Sequence, residues 1–96
     1  MTKPETVAQL KADVIAWLEK HEIGSDVHFH NPQEWADRGE DYCRSADLVM
    51  TFEGPLYPIL NYCEIPALVD EFFELCNGHN YYYEQGTSWY LGFYPL

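Results

Sequence analysis

The sequence predicts an α+β fold, with two main helices packed on one face of a mainly antiparallel sheet of about four strands. Three observations carry this. Two segments repeat apolar residues every three or four positions, two short segments alternate apolar and polar residues, and an aromatic tail has the form of a hairpin. Ninety-six residues without a repeat, low-complexity tract or linker make a single domain over residues 1–96. A chain of this length buries enough apolar surface to stand without staples.

The first helix is marked by Val7, Leu10, Val14, Trp17 and Leu18, with Thr2 and Glu5 as a capping box around Pro4 and Gly24 as the stop. Val27 to His30 alternates as a half-buried strand does, and Asn31-Pro32 breaks it. The segment PQEWADRGEDYCRS forms a short helix or structured loop. As a helix it would align Glu34, Asp37 and Asp41 on one face, although Gly39 weakens it by about 1 kcal/mol.

In ADLVMTFEG, Leu48, Met50 and Phe52 point one way, and Asp47, Val49, Thr51 and Glu53 the other. PLYPILNY is expected to form a helical turn. Pro66 then opens a second main helix with Leu68, Val69, Phe72, Phe73 and Cys76 inward and Asn77-Gly78 as its C-terminal cap. In the tail, a two-residue Gly86-Thr87 loop would set Tyr83 opposite Tyr90 and Tyr82 opposite Leu91. Tyr81, Tyr83, Tyr90 and Tyr94 would then share one face, opposite Tyr82, Trp89, Leu91 and Phe93. With helices on one side only, the other sheet face is open and displays His28, His30, Asp47, Val49, Thr51, Glu53 and the four tyrosines.

Charge narrows the function. Sixteen acids against five bases give −11, and every Lys and Arg lies in residues 1–44. Residues 45–96 carry Asp47, Glu53, Glu64, Asp70, Glu71, Glu74 and Glu84 with no base, so that half stands at −7. Direct nucleic-acid and anionic-membrane binding need cations to neutralise phosphate, so neither is expected. A basic protein surface is the natural partner.

The stretch VHFHNPQEWADRGEDY places two histidines one residue apart, followed by clustered carboxylates. His28 and His30 would project from one face of a strand, as pairs of metal ligands do, with Asp47, Glu53 or His79 as a third. No third ligand stands at a recognisable spacing, and no cofactor is implied. Glu34, Asp37, Glu40 and Asp41 form a solvated charged face. In a sharper version, acids one helical turn apart imitate successive phosphates about 7 Å apart.

Cys43, Cys63 and Cys76 are odd in number and lack a CxxC pair, so reduced, mostly buried thiols are expected. There is no Walker loop, GxGxxG or GxSxG. The N-terminal stretch is amphipathic and mixed in charge, unlike a signal peptide, which makes the cytosol the expected compartment.

The expectation is a non-catalytic acidic binding protein. It would dock on a basic surface of a nucleic-acid-processing enzyme or toxin and block its substrate. Glu34, Asp37, Glu40, Asp41, Asp47 and Glu53 would steer the encounter, and Tyr81, Tyr83, Tyr90 and Tyr94 would anchor it. Size, acidity and the lack of a recognisable active site are similar in a general way to those of small inhibitors carried by phages and mobile elements. These include DNA mimics, anti-restriction and anti-CRISPR proteins and bacterial immunity proteins; a phage-encoded member would act in the host cytosol. The alternatives are a small metal-dependent enzyme using His28 and His30, a non-inhibitory subunit of a larger complex, and a homodimer formed through the same face.

Overall fold

The computed structural model describes all 96 residues. Four helices and four strands follow in the order α1 (Lys3–Lys20), β1 (Val27–His30), α2 (Pro32–Arg38), β2 (Leu48–Phe52), α3 (Leu56–Tyr62), α4 (Pro66–Gly78), β3 (Tyr81–Thr87) and β4 (Tyr90–Pro95). The strands form one antiparallel sheet in the order β1-β2-β4-β3. The expected α+β class and strand count are therefore observed. No helix is long and apolar enough to cross a membrane.

Local chemistry starts α1 as the sequence requires. The Thr2 side chain accepts from the Glu5 amide and Glu5 accepts from the Thr2 amide, with Pro4 in the first turn. This bond pulls the Glu5 carboxyl below its usual range. The helix ends at Lys20, short of Gly24, and Glu22 takes a left-handed conformation with φ 55°. The same device starts α2: the Asn31 and Glu34 side chains each accept the other's backbone N–H at 2.8 Å. Asn31 therefore caps a helix as well as ending a strand. Gly39 at φ 71° closes α2, a left-handed position that glycine fills without strain.

The main core lies between the sheet and α1, α3 and α4. Leu10, Val14, Trp17, Leu68, Phe72 and Cys76 meet Leu48, Met50, Phe52, Leu91 and Phe93 there. Trp17 stacks on Phe72 at 5.3 Å, and its indole N–H donates to Glu71 at 3.1 Å, which lowers the Glu71 pKa. Two expectations for α4 fail. Phe73 is half exposed, because the core takes the 68/72/76 ladder of the helix in full and only Val69 of the neighbouring row in part. The helix also runs through Gly78, and Asn80, at φ 63°, turns the chain instead.

The larger departure is on the second face, which is covered. Every residue of β2 is buried, including Val49 and Thr51. Residues 32–47 fold across the sheet, and Trp35, Cys43 and Ala46 pack with Val49 and Tyr90 in a second, smaller core. The Trp35 ring meets Tyr90 edge-on at 4.8 Å, and its N–H donates to the Tyr42 carbonyl at 2.8 Å. Gly92 makes the approach feasible: a Cβ there would lie 2.8 Å from that of Ala46. The molecule is thus three-layered, with α2 and its following loop as the thin layer.

The hairpin register also differs. Tyr83 lies opposite Phe93 and Tyr82 opposite Tyr94, the turn is Ser88-Trp89, and Gly86 sits at a bulge between Gln85 and Thr87. The pairing is displaced by three residues, and an odd displacement exchanges the faces of one strand against the other. Tyr81 and Tyr83 consequently join Phe93 on the helical side, Tyr82 and Trp89, expected there, lie opposite, and Tyr90 and Tyr94 keep their expected face. Tertiary bonds hold this register. Asn61 of α3 donates to the Ser88 carbonyl at 2.7 Å and accepts from the Gln85 amide at 3.2 Å. A Cβ at Gly86 would collide with the Tyr90 ring and come within 2.9 Å of the Cys43 sulfur.

If the second core holds the thin layer in place, Trp35→Ala should cost about 3–5 kcal/mol in denaturant unfolding, in the range of a fully buried aromatic. A cost below about 1 kcal/mol, as for a surface residue, would contradict this packing.

Candidate functional site

The sheet face left free by α2 is a hollow of about 360 Å³ beside β1, lined by His28, His30, Glu34, Arg38, Glu53 and Trp89 with Thr51. Strand alternation puts both histidines on this side, as expected, with His28 exposed and His30 half-buried. Arg38, the last residue of α2, lies over Trp35 at 5.1 Å and Trp89 at 5.9 Å and lines the hollow together with the two histidines. Burial, and then the positive charge of Arg38, push the His30 pKa below its ordinary value. The same charge opposes a metal cation there, and no three His, Cys, Asp or Glu side chains gather as a set that could hold one. His79, the most distant of the expected ligands, pairs with Asp13 at 2.8 Å in the helical layer.

The acidic residues divide by what they touch. Glu34, Asp37, Asp41 and Glu53 are exposed. Glu34 caps its helix, and Asp37 accepts from the Gln33 amide at 2.9 Å. The ridge of acids one turn apart ends early, since Gly39 terminates α2 before Asp41 is reached. Glu40 is half-buried and pairs with Arg38 at 3.3 Å, while Arg44 stands 4.0 Å from Asp41. Asp47 does not belong to this face. Its carboxylate takes Lys3 of α1 at 3.0 Å and the Tyr81 hydroxyl at 2.6 Å, leaving the side chain 13% exposed.

The tyrosine patch is not assembled. Tyr81 is 3% and Tyr90 2% exposed, which removes both as anchors for a partner. Burial and the Asp47 carboxylate push the Tyr81 phenol up to about 12. Tyr83 is half-buried against Phe72, with ring centroids 4.7 Å apart. Tyr94 is half-buried on the opposite face, stacked on Tyr82 at 5.5 Å. Burial raises the phenol pKa of Tyr83, Tyr90 and Tyr94 as well. Of the cysteines, Cys43 and Cys76 are buried as expected, and burial raises both thiols, Cys76 to about 12. Cys63 is exposed, at the left-handed residue that ends α3.

Exposed apolar surface occurs elsewhere, at the junction of α3 and α4. Tyr62 is 73%, Phe73 49% and Ile65 42% exposed. Ile65, at the N-cap of α4, and Phe73 fall on one side of the helix at four-residue spacing from Val69, which is half-buried against the main core between them. Exposed Glu64, Asp70 and Glu74 border it, and no base lies in this half of the chain. The signal was present in the sequence as a second apolar row, 65/69/73, beside 68/72/76; the core takes Val69 in part and leaves Ile65 and Phe73 exposed.

No family model, no curated protein and no solved structure matches the chain.

The position of Arg38 leads to a titration with a definite sign. Because His30 is held below the ordinary value of about 6.5, its neutral form is favoured by folding, and stability rises with pH across the window between the two values. Arg38→Gln should move the His30 pKa upward in an NMR titration of the imidazole protons. An unchanged or lower value would show that the guanidinium does not act on this ring.

Proposed function

We propose that this protein is a non-catalytic acidic binding protein that docks on the basic, nucleic-acid-facing surface of an enzyme or toxin and occludes it. The observation that supports this most directly is the imbalance of free charge. Of five bases, Lys3, Arg38 and Arg44 are each within 4.0 Å of an acid, so the excess carboxylates meet little positive charge of their own chain. Such a field accelerates encounter with a cationic surface and disfavours nucleic acid itself.

The anchors in this reading are Tyr62, Ile65 and Phe73, in place of the tyrosines of the hairpin. They combine exposed apolar area with bordering carboxylates, the composition expected of a contact with a basic partner. The acids of α2 lie across the sheet from α4 and cannot share one flat interface with it. Their part is long-range attraction, which salt screens over about 8–10 Å.

Affinity capture from lysate at low salt tests the reading. The captured protein should be basic, bind nucleic acid, elute as salt is raised, and lose its nucleic-acid binding when this chain is added in excess. Phe73→Ser and the pair Asp70→Asn/Glu74→Gln should each weaken the complex about tenfold or more, with folding intact because all three residues are exposed. Capture indifferent to salt, or unaffected by all of these substitutions, counts against the proposal.

A further inference from the structure

A groove of about 510 Å³ runs between the first turns of α1 and the junction of β1 with α2. Its origin is geometric. At 18 residues α1 is about 27 Å long, against about 13 Å for the four residues of β1. The residues that α1 buries are Leu10, Val14, Trp17 and Leu18, from its third turn onward, and Val7 is only half-buried. The start of the helix thus overhangs the edge of the sheet, and the space beneath it is floored by Val7, Phe29 and Leu48 with Ala8 and Pro32 at the rim.

The charges around this groove are unlike those of the rest of the molecule. Lys3 and Lys11, two of the chain's five bases, line it. The two acids present are already engaged, Asp47 by Lys3 and the Tyr81 hydroxyl, and Glu34 by the Asn31 amide. Lys11 has no carboxylate within ion-pairing distance and extends over the Phe29 ring, 5.6 Å from its centroid. An uncommitted ammonium at the mouth of an apolar cleft of a few hundred Å³ is the recognition pattern of a small molecule with an apolar body and one anionic end.

We infer that this groove binds a small amphiphilic carboxylate, its hydrocarbon part against Val7, Phe29 and Leu48 and its carboxylate accepting from the Lys11 ammonium. A more highly charged anion is disfavoured, because the net charge of −11 repels each further negative charge that Lys11 does not meet. The site is separate from the α3–α4 patch and is independent of the basic-partner reading.

Titration of the full chain with decanoate, followed by amide and methyl NMR shifts, tests this. Saturable shifts should centre on Val7, Lys11, Phe29 and Leu48. Lys11→Gln, which removes the charge from an exposed side chain, should weaken binding about tenfold. Ala8→Glu, also at an exposed helical position, should abolish it while leaving the remaining spectrum in place. Decyltrimethylammonium, with the same chain and the opposite charge, should not compete. Absent or non-saturable shifts, shifts centred elsewhere, equal affinity in Lys11→Gln, or equal binding of the cation would each overturn the inference.

Discussion

Burial of the central strands β2 and β4 on both faces is the constraint on which the rest of the structure depends. A strand covered on one side alternates buried and exposed residues, whereas β2 buries all five of its positions and β4 its first four. The second cover is thin, a seven-residue helix and the loop after it, and it is held by few groups. Trp35 fills the space above Tyr90, its indole N–H is satisfied by the Tyr42 carbonyl, and Gly92 leaves room for Ala46. Without those adjustments the seventeen-residue crossing from β1 to β2 would be an exposed loop. With them it is a structural layer.

Several properties of the surface follow. Covering the second face removes Tyr90 from solvent and restricts the opening beside β1 to a hollow where His28 and His30 meet Arg38 rather than a third ligand. The hairpin register sends Tyr81 to the helical side, where its hydroxyl and Lys3 take up Asp47. What remains exposed is therefore carboxylate-rich on the α2 side and apolar with an acidic border on the α4 side. Three of the five bases are already paired with acids, so most carboxylates meet no cation of their own chain, and the proposed docking on a basic surface rests on this imbalance.

Much of the architecture was legible in the residues. The capping box at Thr2 and Glu5, the alternation of Leu48, Met50 and Phe52, and Pro66 at the start of α4 are local signals, each set by neighbours within a few positions. The placement of Leu91 and Phe93 toward the helices and of Tyr90 and Tyr94 away from them followed from the same alternation. The site was less legible. Its acids were identified by type, but Asp47 is consumed by Tyr81 and Lys3, residues distant in the chain whose pairing leaves no trace in spacing, and Glu40 by its near neighbour Arg38.

The sequence by itself determined the elements, their order and the sign of the surface charge, because helix caps, apolar periodicity and ionisable groups act over a turn or two of chain. Tertiary structure alone decided how far the second apolar row of α4 enters the core, which tyrosines are inside, and that α2 closes over the sheet. Each of those choices turns on a long-range fit: the Asn61 amide reaching Ser88, the bulge at Gly86, the indole of Trp35 between two strands and a loop. A three-residue change of register reverses a strand's faces while leaving its local pattern untouched, and the energy that selects the register is shared among residues far apart in the chain.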